Sequence, residues 1–301
     1  MPGLSLLAPH LKRGHDQRFQ VNIANLGFAL FNALKPVLLD SPLDGLIPAV
    51  SILSMLGFVL LHGQRQIGWT RLGVFVVIAF LVSWCYESLS IKTGFPFGHY
   101  HNTDRLGPKL GDVPLLIMPA YYAVGYVSWH LAHIVLDKFD AYANRLQTWA
   151  VPALASFIMV MWDMSMDPAR ATLAEVWIWH DGGGYFGVPF QNFMGWFLCV
   201  WTIFQLYAFY LRSQASGAGV VMQTDAQKSD WHQMTALYDG TLILEFLSMA
   251  ALTTNMALVD QAGQSWNSRD MYETLALVSI FSMLFVTVLC FIKVQASDQL
   301  R

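Results

Sequence analysis

Eight stretches of this chain stay apolar for about the 20 residues that a helix needs to cross a bilayer. They run 20–39, 45–62, 70–90, 114–137, 148–166, 189–212, 237–259 and 272–294. Hydrocarbon offers no water to a bare N–H or C=O, so only helices and closed barrels survive in it. These runs are too long for strands and lack their alternation. The sequence therefore predicts an all-α integral membrane protein, a bundle of about eight transmembrane helices. It reads as a single polytopic membrane domain over 1–301, with a motif core at about 80–200 and one flexible loop at about 213–236.

Charged residues make up 12% of the chain, about half the share usual in soluble domains. A net charge of −3 without a basic block argues against nucleic acid as a partner. Cys85, Cys199 and Cys290 lie in apolar runs without metal-type spacing and read as buried small residues. Lys12, Arg13 and Arg18 follow the short apolar LSLL instead of preceding it, which is not the pattern of a cleavable signal. Leu4, Leu7 and Leu11 fit one face of a short interfacial helix. No internal repeat is visible.

Lys and Arg in the short loops set orientation. With the N-terminus inside, eleven fall in inner segments, while Lys92, Arg105, Lys109, Arg170 and Arg269 fall outside. Both termini are thus expected on the cytoplasmic side. The two elaborate loops, 91–113 and 167–188, then share the non-cytoplasmic face. Glu87, Asp112, Asp163, Asp167 and Asn192, from four helix ends, converge there.

Ionisable groups at such places are expensive, so they read as functional by default. Glu87 sits about one turn inside a helix end, before the turn-forming Gly94, Pro96 and Gly98 and then His99, Tyr100 and His101. The plainer reading of Glu87 is a headgroup-level acid beside a solvated loop. Asp112 before Pro114 suits a helix start. His130 and His133 read as packing or hydrogen-bonding residues.

Asp163 and Asp167 are four apart and share a helix face. Two such carboxyls in an apolar site cannot both ionise cheaply, so one should keep its proton at neutral pH. The same spacing can hold Mg²⁺ against a diphosphate, but no second Asp-rich helix is present. Asp167 before Pro168 also fits a helix-terminating pair. Trp177, Trp179, Tyr185 and Phe186 follow, fit for an interfacial belt or for cation-stabilising faces. Glu245 lies nearest mid-span, either as a functional carboxyl or as a structural hydrogen-bond partner.

These pieces together resemble the membrane carotenoid-biosynthesis family that includes the carotenoid 1,2-hydratases of bacteria and haloarchaea. The resemblance rests on Glu87–Thr93–Gly94, Phe97–Gly98–His99–Tyr100, Leu106–Gly107–Pro108 and Val113–Pro114. It continues through Trp162–Asp163, Asp167–Pro168, Trp177, Trp179, Tyr185–Phe186–Gly187–Val188–Pro189, Asn192–Phe193 and Gly195–Trp196. It implies a lipophilic polyisoprenoid or terpenoid substrate drawn from the membrane lipid.

Hydrating a terminal isoprene C=C needs a protonated acid, π faces for the tertiary cation, and a held water with a proton acceptor. The chemistry assigns Asp163 as acid, Asp167 as the neighbour that sets its proton affinity, and Glu87 as base or water-orienting group. Asn192, His99 and Tyr100 would position the group, with Glu245 as a further candidate. Trp162, Trp177, Trp179 and Tyr185 would face the cation, and Phe186 and Asp112 would line the substrate's place. The scheme needs no metal and no redox cofactor. If water is excluded, an internal alkene captures the same cation and the enzyme is a proton-initiated terpenoid cyclase. A lipid carrier or transporter, with the same acids lining a pathway, is the alternative of another class.

Overall fold

The computed structural model describes residues 47–136, 145–215 and 234–299. The predicted span at 20–39, the interfacial helix near Leu4 and most of the loop at 213–236 lie outside these residues. The first described helix, α1, is Ile47–Thr93. It takes in both predicted spans 45–62 and 70–90, which meet at Gly68. There φ 78° and ψ 160° break the helix in a backbone region open to glycine alone. The chain folds back at this point: a Cβ added to Gly63 would lie 2.6 Å from the side chain of Leu72. In a straight helix nine residues would separate the two by about 13 Å.

After α1 come β1 (Tyr100–Asn102), β2 (Lys109–Leu110), β3 (Val113–Pro114) and helix α2 (Ile117–Leu136). Helix α3 (Arg145–Pro168) continues into a π turn, Ala169–Leu173, and then β4 (Trp177–Trp179) and α4 (Phe190–Ala215). A second π turn, Ala236–Gly240, leads into α5 (Thr241–Leu252). A hairpin of β5 (Ala257–Val259) and β6 (Ser265–Asn267) precedes α6 (Ser268–Val278). A third π turn, Ser279–Met283, joins α6 to α7 (Leu284–Gln299).

Among the described residues, four helices are long and apolar enough to cross a membrane: Ile52–Thr93, Thr148–Leu173, Phe190–Gln214 and Ser268–Ala296. The chain is a helical membrane protein. The predicted span 237–259 ends early, because the helix stops at Leu252 and the chain turns into β5. Asp167–Pro168 does not end its helix either; the π turn carries it on to Leu173.

Helices α1 to α4 close a ring in which α1 packs on α2, α2 on α3, α3 on α4 and α4 on α1. α2 is buried on every side from Tyr121 to Ile134, as expected of a helix without a polar face. The outer faces of the other three carry exposed Val77, Leu81, Phe157, Phe190 and Leu206, the surface that lipid would cover.

Candidate active site

Two loops close one end of this ring, and the backbone joins them. β1 pairs antiparallel with β4, with Tyr100 opposite Trp179 and Asn102 opposite Trp177. Alternation along the strand buries Tyr100 and Asn102 and exposes His101 between them. The same parity sends His99 outward, where its Nδ1 lies 3.1 Å from Asp181. The positioning role expected of His99 is therefore not where its side chain sits: it belongs to the outer surface. His101 Nδ1 and His180 Nε2, 2.7 Å apart, are exposed on that surface too.

The turn that delivers Tyr100 is held from both sides. Gly94, at φ 76°, ends α1 with its N–H on the Ser90 carbonyl. The Ser90 hydroxyl accepts from the Phe97 N–H and donates to the Gly98 carbonyl. Gln191 at the start of α4 donates to the Gly94 carbonyl at 2.9 Å. One turn on, a Cβ at Gly195 would stand 2.7 Å from the Pro96 carbonyl, so only glycine lets α4 lie this close to the turn.

The result is two carboxyl assemblies under one cover. In the first, buried Glu87 accepts from the Tyr100 hydroxyl through Oε2 and from the Tyr121 hydroxyl through Oε1, the latter at 2.9 Å. Tyr121 stacks on Trp196 with centroids 4.5 Å apart and 7° between the planes, and the buried Cys199 thiol lies within hydrogen-bond reach of Tyr121. In the second, the Asn192 amide nitrogen donates to both acids of α3, to Asp163 Oδ2 at 3.2 Å and to Asp167 Oδ2 at 2.6 Å. Asp167 also accepts from the Trp177 indole N–H at 2.8 Å.

Aromatic groups connect the two assemblies. Trp177 and Trp179, two apart, share a face of β4. One holds Asp167 and the other packs on Tyr100 at 4.8 Å. Burial, and then the adjacent Glu87 carboxylate, push the Tyr100 phenol well above its ordinary range, with Asp167 adding to the effect. Tyr185 is pushed up by burial first and then by Asp167 and Asp163, and its hydroxyl donates to the Met164 carbonyl. Asp163 is 0% exposed and Asp167 and Asn192 are each 1% exposed, so water does not screen this group. Three buried polar atoms here have no hydrogen-bond partner among the described residues: Asp163 Oδ1, Asn192 Oδ1 and Trp179 Nε1.

The expected residues thus sort plainly. Glu87, Tyr100, Asp163, Asp167, Asn192, Trp177, Trp179 and Tyr185 come together. Trp162 is half-buried one position from Asp163, which puts it about 100° round the helix from the acids. Phe186, at a positive φ of 51°, packs on Tyr185 and on Trp266 of the β5–β6 hairpin. Asp112 is exposed in the turn between β2 and β3; α2 begins only at Ile117, so Asp112 caps no helix and stands apart from the acids. Glu245, 1% exposed, does not join them either: it pairs with Arg170 at 3.3 Å. Among the described residues no three His, Cys, Asp or Glu are grouped to hold a metal ion.

Residues 47–259 match the family model described as carotenoid biosynthesis protein. A stretch of 130 residues is 30% identical to the bisanhydrobacterioruberin hydratase of Haloarcula japonica. That match spans 42% of this chain and 42% of the relative's length. No solved structure matches the chain. The family match covers most of the chain, including both loops and every acid of the buried cluster, and the chain belongs to the carotenoid biosynthesis protein family.

Proposed function

We propose that this protein is a membrane enzyme that protonates a terminal isoprene double bond of a carotenoid-type substrate and adds water to it. The observation that carries the reading is the Asp163–Asn192–Asp167 bridge, buried with no Lys or Arg paired to it among the described residues and set beside a Glu87 held by two tyrosines. Asp167 accepts two N–H groups and is the better-stabilised anion. Asp163 accepts one, at 3.2 Å, and keeps an unpartnered oxygen, so the proton shared by the pair belongs on Asp163.

Asp163 gives this proton to the terminal CH carbon. The double-bond electrons form the new C–H bond and leave a tertiary cation at the dimethyl carbon. Trp177, Trp179 and Tyr185 present π faces, each worth about 2 kcal/mol to a desolvated cation. A water oxygen then bonds to the cation and its proton passes to the Glu87 carboxylate. Proton transfer from Glu87 back to Asp163, by way of water, restores the start, and the sum is alkene plus water to tertiary alcohol. The unpartnered Asp163 Oδ1, Asn192 Oδ1 and Trp179 Nε1 offer acceptors and a donor suited to a held water. That favours hydration over internal capture of the cation.

In this reading the chain is a single domain of about eight spans, with both termini cytoplasmic and the acid cluster on the opposite side. The hydratase name of the Haloarcula japonica relative supports the reaction class. The test is the pigment profile of a lycopene-producing cell that expresses the chain. New pigment heavier by one or two waters is expected. An isomer of unchanged mass would make the enzyme a cyclase, and unchanged pigment with folded protein in the membrane would overturn the reading.

A further inference from the structure

Arg170 stands three residues after Asp167, close enough on a helical surface for their side chains to meet. They do not meet. The guanidinium reaches α5 instead, with Nη2 3.3 Å and 3.5 Å from the two oxygens of Glu245. The π turn Ala169–Leu173 sets this direction, and the Arg170 carbonyl is pinned by the Val176 N–H at 2.9 Å. Glu245 is almost wholly buried, while Arg170 keeps 25% of its side chain exposed. Among the described residues no Lys or Arg forms an ion pair with Glu87, Asp163 or Asp167.

A cation beside the aspartates would be ruinous to the proposed chemistry. An opposite charge within about 4–6 Å favours the ionised carboxyl, and an ionised pair has no proton to give. Burying Glu245 is costly unless it is matched by a partner, so its place opposite Arg170 calls for a reason.

We infer that Glu245 is a positioning residue that holds Arg170 away from the aspartate pair, so that Asp163 keeps its proton. It touches no reacting atom. Its role is to occupy the Arg170 guanidinium, and it brings a helix from outside the motif core into the function of the site. The inference deepens the reading of Asp163 as the proton holder.

The roles of the two partners are then unequal. Glu245→Gln frees a cation next to Asp167, whereas Arg170→Gln frees none. A structural ion pair would suffer from either loss. A catalytic Glu245 would not be rescued by a change at Arg170.

The experiment is infrared spectroscopy of the full chain in membranes, reading the protonated-carboxyl C=O band that Asp163→Asn removes. The band is expected in the wild type and in Arg170→Gln, absent in Glu245→Gln, and restored in the Arg170→Gln/Glu245→Gln double variant. A Glu245→Gln protein that keeps the band, or a double variant that lacks it, overturns the inference. If Glu245→Gln does not accumulate, Arg170→Lys on the Glu245→Gln background supplies the same unclaimed cation and must lose the band. Turnover of an acyclic carotenoid is read alongside. Glu245→Gln should lose about a hundredfold and the double variant should recover most of it. The band is measured without substrate, so a wild type that shows the band pattern but no turnover refutes the functional reading and upholds the inference.

Discussion

Two groups of carboxyls among the described residues can be set side by side. At the loop face, Asp181 meets His99, Glu175 meets Arg105 and Asp104 meets Lys109. Beneath that face, Glu87, Asp163 and Asp167 meet two phenols, an amide and an indole, all neutral donors. The difference shows what each arrangement can do. An exposed ion pair is screened by water and fixes little. A buried carboxyl with a cation would be locked ionised. A buried carboxyl with neutral donors is held in place while its proton stays free to move. Glu245 is buried yet paired with a cation, and it lies outside the cluster, as does buried Asp239, which accepts from the Thr287 hydroxyl.

The contrast can be broken most sharply at Asp163. Asp163→Asn keeps the shape but removes the proton, and turnover of carotenoid in membranes should fall by about 10²–10⁴-fold with folded protein at wild-type levels. Next in size is Tyr121→Phe, which strips one of the two donors from Glu87. A hydrogen bond to a charged group is worth about 1.5–3 kcal/mol, so turnover should drop by about 10- to 150-fold. The Trp196 stack would remain, so the melting temperature should fall by only a few degrees. Smallest is the surface control. Arg105→Ala removes an ion pair whose two side chains are 62% and 60% exposed. Neither turnover nor melting temperature should change measurably. A large effect at Arg105 would erase the distinction between the two settings.

Much of this was legible in the sequence, for physical reasons. Long apolar runs set the helices, and the up-and-down order expected of them put Glu87, Asp163, Asp167 and Asn192 at one end. The acids were visible because charge is rare in such segments. Tyr121 and Cys199 were not, since aromatic residues and cysteine are ordinary in apolar helices, and Trp196 showed only as part of the Gly195–Trp196 piece, without a role. Only the helical spacing of Asn192, Trp196 and Cys199, at i, i+4 and i+7, hints at a shared face. Nor could three-residue strands be read, as they are too short to show a period. The β1–β4 ladder and the outward turn of His99 therefore came only from the fold. Asp112 misled for a local reason: Asp before Pro suits a helix start, but here it suits a hairpin turn. The partner of Glu245 was hidden because Arg170 looked like a loop cation, and nothing local announces the π turn that aims it at α5.

The central claim is that a carboxyl of the buried cluster hands its proton to carbon before water adds. The direct measurement is the mass of product formed by membranes carrying the wild-type chain in doubly labelled water, D₂¹⁸O. The account predicts one carbon-bound deuterium and one ¹⁸O per hydrated end, and no labelled product from Asp163→Asn membranes that hold equal amounts of folded protein. Product that carries ¹⁸O without carbon-bound deuterium, or equal labelling by the Asp163→Asn protein, would contradict it.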